Sequence, residues 1–300
     1  MSSNSRALHF VLKVASLKKN IEFFRDKLSM KVLRHEVFDE GCEAACNGPY
    51  SNKWSKTMIG YGPEDNHFVL ELTYNYSVGN YDLGNDLQHI QVSLVKSIFD
   101  KVRSHKEFDE HMKDGCLSLK SPDGYKFLIT RDESDSKSDI TEVCLACNNL
   151  ERSIEYWNKF LQMVKLSEPM DKEIKMRFRP DQAVLKLRQI SESVNHKTAF
   201  GRIAFSCPST DLKPIQALME ANEQKVLTPY LSLDTPGKAT VQVVILADPD
   251  GHEICFVGDE GFRELSRVDP EANDLIENSM SEDKSDEWFE KKGMTKSQAS

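Results

Sequence analysis

The sequence lacks long hydrophobic runs and any excess of positive charge, and each absence excludes a class of protein. No apolar stretch approaches the roughly 18 residues that a membrane-spanning helix needs. The N-terminus carries no apolar segment typical of a secretory signal, so we expect a cytoplasmic protein, with the mitochondrion as the alternative. A formal net charge of -9 without a basic cluster disfavours binding to nucleic acid or to a membrane surface. The expected partner is therefore a small molecule.

Cysteine is also scarce. Seven cysteines, an odd number spread along the chain, favour reduced thiols over a framework of disulfides. Cys144 and Cys147 have the spacing of half a zinc site, but residues three apart in a strand point to opposite faces. We interpret this pair as ordinary strand packing.

What the sequence does contain is an internal repeat. A Pro-Asp-Gly turn that leads into a strand occurs at Pro122–Gly124 and again at Pro249–Gly251. Proline presets φ for a tight turn, and glycine takes the positive φ that closes it. A second matching pair of segments, Leu17–Phe24 and Leu150–Trp157, predicts that the whole unit is duplicated.

Each half contains two modules of the order strand, helix, strand, strand, strand. Alternating side chains predict the strands that open the four modules, at Ala7–Val14, His89–Leu94, Glu142–Cys147 and Arg202–Cys207. Helices follow the first and third of these strands, and Ser16 and Asn149 are the predicted N-caps. The fold class is therefore α+β.

Composition predicts the domain boundaries. Three hundred residues with 39% hydrophobic content form two domains more readily than one. The polar segment 132–139 has almost nothing to bury, so we interpret it as a linker between domains at 5–131 and 140–258. Residues 259–300 are an acidic tail that we expect to be helical in part.

The segment Leu70–Asn75 reads Leu-Glu-Leu-Thr-Tyr-Asn and resembles the Leu-Glu-Leu-Thr-His-Asn segment of the vicinal oxygen chelate superfamily, to which glyoxalase I belongs. Four βαβββ modules in one chain are the organisation of two-domain members, and the resemblance extends over essentially the whole sequence. It implies two vicinal oxygen chelate domains whose curled sheets carry metal ligands on their concave faces.

In this superfamily one metal ligand comes from the first strand of a module and one from the last. By motif these positions hold His9 and Glu71 in module one, His89 and Leu128 in module two, Glu142 and Lys186 in module three, and Arg202 and Cys255 in module four. Strand parity supports the assignment, because each residue lies on the face opposite the apolar stripe.

Two pairings of the modules are open. If modules one and two share a concave face, His9, Glu71 and His89 form a set that suits a divalent metal, with Zn²⁺ or Ni²⁺ favoured. If modules one and four share it, Arg202 joins His9 and Glu71, pairs with Glu71 and leaves any metal weak or absent. Analogy with single-chain glyoxalases predicts the second pairing.

The resemblance implies a glyoxalase I-like lyase that detoxifies methylglyoxal by isomerising its hemithioacetal with glutathione to S-lactoylglutathione. Glu71 is the candidate catalytic base, since Leu128 and Cys255 stand where the family has its proton-transferring glutamate. Lys13 and Asn75 occupy positions that contact the glutathione part of the substrate in the family. We expect a monomer or a homodimer.

Two alternatives remain. The cationic residues Lys186 and Arg202, together with the missing fourth ligand, favour a non-catalytic binding or scaffold protein of the same fold. Two histidines and one carboxylate are also the ligand set of an Fe(II) dioxygenase. We interpret His252 and Glu253, which follow the second turn, as hairpin residues.

Overall fold

The computed structural model of the chain describes residues 5–105, 108, 112–113, 115–233 and 239–296. In chain order its strands are β1 (Arg6–Val14), β2 (Lys31–Phe38), β3 (Trp54–Gly60), β4 (Val69–Asn75), β5 (Leu87–Leu94), β6 (Met112–Lys113), β7 (Cys116–Lys120), β8 (Lys126–Arg131), β9 (Asp139–Cys147), β10 (Val164–Lys165), β11 (Glu173–Arg177), β12 (Val184–Gln189), β13 (Arg202–Cys207), β14 (Val226–Leu233), β15 (Val241–Ala247) and β16 (Glu253–Gly258).

The helices lie between these strands and after the last of them. They are α1 (Leu17–Ile21), α2 (Lys96–Arg103), α3 (Leu150–Ile154), α4 (Leu212–Ala221), α5 (Asp259–Leu265), α6 (Ala272–Glu282) and α7 (Ser285–Lys291), with a short 3₁₀ turn at Ser209–Asp211. None of the helices in the described ranges is long and apolar enough to cross a bilayer.

The strands form two eight-stranded sheets, and each sheet combines two modules. The first sheet has the order β14-β15-β16-β13-β1-β4-β3-β2, and the second has the order β10-β11-β12-β9-β5-β8-β7-β6. Modules one and four therefore share the first sheet through the antiparallel pair β1–β13, and modules two and three share the second through β5–β9. The predicted pairing of module one with module four is confirmed.

The main core lies against one face of each sheet, where the predicted apolar stripes meet the helices. Phe10 and Leu12 of β1 belong to this core, as do Phe24 and Trp157 from the helical segments. Leu8 does not, although its alternation with Phe10 predicts it there. A register shift between Ala7 and His9 bulges β1 and turns Leu8 into a second apolar cluster on the other face.

The repeated helices begin and end in the same way. The Ser16 hydroxyl accepts from the Lys19 N–H at 3.4 Å, and the Asn149 side chain accepts from the Arg152 N–H at 3.0 Å, as predicted for N-caps. Each helix then loosens into a π-helical turn, at Glu22–Lys27 and Glu155–Phe160. The shared irregularity supports the duplication.

The Pro-Asp-Gly turns and the cysteines complete the comparison with the sequence. Gly124 and Gly251 both have φ of 90°, so each closes its turn as predicted.

Cys144 and Cys147 are buried, unpaired thiols of β9. Cys42 and Cys46 form a disulfide in the loop between β2 and β3, so the expectation of reduced thiols is wrong at these two positions.

Candidate functional site

The candidate site is the face of the first sheet that points away from the main core, which we call the first cup. Strand register sets its members: Val11 of β1 lies opposite both Glu71 of β4 and Arg202 of β13, and Arg202 lies opposite Glu253 of β16. Because side chains two apart share a face, His9 points the same way as Val11. The pairing of modules one and four thus brings His9, Glu71 and Arg202 together.

His9 lies between two carboxylates. Its Nδ1 is 2.5 Å from Glu64 Oε1, and its Nε2 is 3.5 Å from Glu71 Oε2. His9 is 9% exposed and Glu71 is 7% exposed. The site therefore combines an imidazole with acidic groups in a place that little water reaches.

Glu64 holds the His9 ring in this orientation. Burial alone would raise the pKa of Glu64, but the His9 and Arg34 side chains that bind it outweigh burial and lower its pKa to about 2. An ionised carboxylate only accepts hydrogen bonds, so the His9 ring donates to Glu64 from Nδ1, and Nε2 is the ring nitrogen that faces Glu71. Arg34 fixes Glu64 in turn at 3.1 Å.

Sequence reasoning missed Glu64. The residue lies in the connection between β3 and β4, where no periodic pattern indicates which way a side chain points. The only signal available was a carboxylate directly after Gly62 and Pro63, in a segment that ends a strand. A turn after Gly62 and Pro63 can bring the Glu64 side chain back over the first sheet. The sequence does not reveal that His9 is the residue it contacts there.

Arg202 does not pair with Glu71, contrary to the sequence-based expectation. Its Nε and its terminal nitrogen lie 2.9 and 2.7 Å from Glu253 Oε2, because β13 and β16 are parallel neighbours and place the two residues directly opposite. Glu253 is therefore a member of the first cup and not only a hairpin residue. Glu71 keeps the contact with His9 and a 3.3 Å hydrogen bond from the Thr73 hydroxyl.

The residues present fit a divalent metal in part. His9 Nε2 and the Glu71 carboxylate face each other, and this contact is favourable when a proton on Nε2 or a metal ion between the two atoms supplies positive charge. Two ligands bonded at about 2.1 Å to one ion lie at comparable separations. Cys255 lies on the same face, but burial raises the pKa of its thiol to about 11, and among the described residues it does not form a three-ligand group with His9 and Glu71.

His89, the third predicted metal ligand, lies elsewhere. It belongs to β5 of the second sheet, on the face that we call the second cup, and its Nε2 is 3.2 Å from Glu142 Oε1. The set of His9, Glu71 and His89 is not assembled in one cup, because module two pairs with module three. The two-histidine, one-carboxylate set of an Fe(II) dioxygenase is absent from the described residues of the first cup for the same reason.

Lys13 and Asn75, the predicted substrate-binding residues, lie on the strands of the first cup but are enclosed. The Lys13 ammonium donates to the Phe200 carbonyl at 2.6 Å, and burial lowers its pKa to about 7. Asn75 is fully buried and exchanges hydrogen bonds with Asn47 and Tyr81. Neither side chain reaches solvent in this conformation.

Two segments cover the first cup. The loop between β2 and β3 lies over one part, where Ala44 packs on the sheet and the Ala45 carbonyl accepts from Arg202 at 3.4 Å. Helix α5 covers the rest: the Phe262 ring lies 6.3 Å from the His9 ring, between centroids, in the second apolar cluster. Asp259 anchors α5 to Arg6 at 2.8 Å. Access to His9 requires one of these segments to move.

Comparisons with known proteins identify the family of this fold. Residues 6–129 match the model of the glyoxalase/bleomycin resistance protein/dioxygenase superfamily, and residues 149–265 match that of the C-terminal domain of glyoxalase domain-containing protein 4-like proteins. The glyoxalase domain-containing protein 4 of Rattus norvegicus is 52% identical over 288 residues, 95% of each chain. A Caenorhabditis elegans protein named Glyoxalase 1 is 46% identical over 287 residues, 95% of this chain and 99% of the relative.

Among solved structures, glyoxalase I from Zea mays superposes with a TM-score of 0.67 at 21% identity, over 87% of this chain and 95% of the other. The sheets and the family models together define the class as the vicinal oxygen chelate, or glyoxalase/bleomycin resistance/dioxygenase, superfamily. Within that class, the chain belongs to the glyoxalase domain-containing protein 4 family. The predicted α+β fold is confirmed, and the relatives support a glyoxalase I-like enzyme of the lyase class.

Proposed function

We propose that the protein isomerises the hemithioacetal of methylglyoxal and glutathione to S-lactoylglutathione. The observation that carries the proposal is the first cup, in which His9 and Glu71 face each other and Glu64 fixes the imidazole. Relatives that are nearly half identical over their whole length and are named Glyoxalase 1 support the same activity. The closely packed cup would keep water away from the reactive enediolate.

Glu71 is the proposed base. Its carboxylate takes the proton from C1 of the hemithioacetal, and the electron pair of the broken C–H bond moves into an enediolate. The protonated carboxyl group then returns the proton to C2, and the hydroxyl proton moves from the C1 oxygen to the C2 oxygen, which gives the thioester with no change in the number of atoms. Thr73, which donates to Glu71 Oε1 at 3.3 Å, holds the carboxylate in place.

A divalent metal fits beside this base. We propose that His9 and Glu71 hold it, with Zn²⁺ or Ni²⁺ as the preferred ion. Such a cation, when bound, supplies positive charge that stabilises the enediolate oxygens. Glu64 supports His9 in the way that carboxylates support metal-bound histidines in other proteins.

The glutathione part of the substrate needs a place in the same cup. Lys13 lies on the strand face of His9, and Asn75 lies on the strand face of Glu71. We propose that both contact the glutathione part once the loop between β2 and β3 lifts from the sheet. A lysine can bind a carboxylate there as a point charge, without the two-pronged geometry of arginine.

Turnover of methylglyoxal and glutathione by the purified, metal-reconstituted protein tests the proposal. We expect thioester formation that a chelator abolishes and that Zn²⁺ or Ni²⁺ restores. The Glu71→Gln variant should be as stable as the wild type without metal but form the thioester at least about 100-fold more slowly. Turnover by Glu71→Gln at close to the wild-type rate would overturn the assignment of the base.

A non-catalytic binding protein is the second candidate, and the enclosed cup favours it. Glu71, Lys13 and Asn75 already have protein partners, and the family's fourth ligand is replaced by Cys255. This function predicts that the protein binds glutathione adducts without converting them. Calorimetric titration with a non-reactive S-alkylglutathione, run beside the turnover assay, distinguishes the two.

A further inference from the structure

Three potential metal ligands meet outside the first cup, where the two sheets join. Asp86, His196 and His252 each offer one ligand atom, and these atoms all lie within 4.8 Å of one another. The residues come from distant parts of the sequence. Asp86 directly precedes β5, His196 lies between β12 and β13, and His252 follows the second Pro-Asp-Gly turn.

The main chain orients both imidazole rings. Nε2 of His196 is 2.9 Å from the Asp250 carbonyl, and Nε2 of His252 is 2.7 Å from the Ala146 carbonyl. A carbonyl oxygen only accepts, so each Nε2 carries a hydrogen, and a neutral ring keeps its lone pair on Nδ1. Metal-binding histidines typically have this support, in which one ring nitrogen donates to the protein and the other faces the ion.

The contact between His196 and Asp86 requires a positive charge. His196 Nδ1 lies 2.9 Å from Asp86 Oδ2, and two acceptors at this distance repel unless a proton or a metal ion joins them. Asp86 is 7% exposed and His252 is 5% exposed, so water can do little to neutralise the carboxylate. Two imidazoles and one carboxylate form a ligand set that Zn²⁺ accepts.

We propose that Asp86, His196 and His252 bind a divalent transition-metal ion of the Zn²⁺ class, separate from the ion assigned to the first cup. The His196 side chain is 24% exposed, so an ion can enter from solvent and retain a water molecule as its fourth ligand. The ion joins the start of β5 in the second sheet to the end of the turn before β16 in the first. The bound ion therefore cross-links the two sheets.

Binding of Co²⁺, used as a spectroscopic probe, tests this site on the full-length protein. We expect the wild-type protein to bind one more equivalent than the His196→Ala variant, and Asp86→Asn to weaken that equivalent by at least about 10-fold. The Glu71→Gln variant should retain it, which separates this site from the proposed active site. His67→Ala, which removes a partly exposed histidine away from this site, is the matched control.

Thermal unfolding gives a second measurement. Zn²⁺ should raise the melting temperature of the wild type and of His67→Ala by more than that of His196→Ala, which keeps only the first-cup site, and it should still raise that of Glu71→Gln. A wild-type crystal soaked in Zn²⁺ needs no variant, and it should show anomalous density among the three side chains. If the crystal shows none, or if His196→Ala binds as much Co²⁺ as wild type, the contact is only an ion pair of His196 and Asp86, and the proposal is wrong.

Discussion

The two cups differ in what neutralises their buried glutamates. In the first cup Glu71 faces His9, and no lysine or arginine among the described residues forms an ion pair with it. In the second cup Glu142 faces His89 in a similar way, but the Lys175 ammonium also lies 2.6 Å from it. The same fold therefore carries one buried glutamate that has a lysine partner and one whose side-chain contacts are with His9 and Thr73.

The neighbours of the second cup extend this pattern. Glu173 binds Lys186 at 2.5 Å and also pairs with Arg188, so the acidic groups found on these strands are matched by basic ones. A matched pair requires neither a metal nor a substrate to be stable. Duplication thus left two similar cups, of which we expect only the first to bind a metal and carry out chemistry.

The largest expected effect is a difference between Glu71→Gln and Glu142→Gln. Removing a general base commonly lowers the rate by about 10² to 10⁴-fold, so we expect a loss of this size in kcat for Glu71→Gln. Glu142→Gln changes a buried glutamate of the other cup and should keep at least about half of the activity. Steady-state kinetics of both variants provide the measurement. Equal losses of kcat in the two variants would show that the first cup is not the only one that carries out chemistry.

The next largest effect is expected for Glu64, which has no counterpart among the ion pairs that the described residues of the second cup form. Loss of a partner that orients a metal-bound histidine typically lowers metal affinity or activity by about 10 to 100-fold, and we expect this for Glu64→Gln. The metal dissociation constant should increase together with the loss in kcat/KM. Glu36→Gln, which removes an acidic group of the same sheet that pairs with Lys56, is the control and should leave metal affinity unchanged.

Strand parity predicted the residues of the first cup that lie on strands. His9, Glu71 and Arg202 share a face because alternation along a strand is a local property of the sequence. Glu64 and Phe262 were missed, since a loop and a terminal helix are positioned by tertiary contacts that the sequence pattern does not encode. The predicted partner of Arg202 was wrong. The register of β13 against β16 places Glu253 opposite Arg202, and this register is not encoded in the alternation of either strand.

Helix α5 provides the third test, through Phe262. Replacing a buried phenylalanine by alanine typically costs about 3–5 kcal/mol of stability, and Phe289→Ala in α7 should cost a similar amount. Only Phe262→Ala opens space beside His9, so only this variant should change KM, by several-fold. Steady-state kinetics of both variants measure substrate access to His9, and urea unfolding measures their stability. If Phe289→Ala changes KM as much as Phe262→Ala does, α5 does not control the entry of substrate.

The smallest expected effect is a change in the pH dependence of stability, and it concerns Lys13. In the first cup Lys13 donates to a carbonyl, whereas Lys175 and Lys186 of the second cup pair with carboxylates. Burial lowers the pKa of Lys13 to about 7, while an unfolded lysine has a pKa of about 10.4. Between about pH 7 and pH 10.4 the unfolded chain binds more protons at this lysine than the folded chain does. Lys13 therefore makes the free energy of unfolding rise with pH, by at most about 1.4 kcal/mol per pH unit.

Lys13→Met should remove that rise. Free energies of unfolding from urea titrations at pH 7, 8 and 9 measure it, and the exposed Lys53→Met variant should keep the wild-type slope. An identical slope in Lys13→Met and wild type would show that the ammonium is not held in an apolar environment.

The pairing of β1 with β13 has a consequence for the order of protein synthesis. Arg6 pairs with Ser206, so at roughly 5–20 residues per second the ribosome needs roughly 10 to 40 s to supply the partner of the first strand. The strands of the second sheet, which lie between Leu87 and Gln189, have all been synthesised by then. Until β13 emerges, one edge of β1 is available to other nascent chains. Pausing of translation after Gln189 should therefore promote aggregation on the ribosome, even though the finished fold leaves that edge covered.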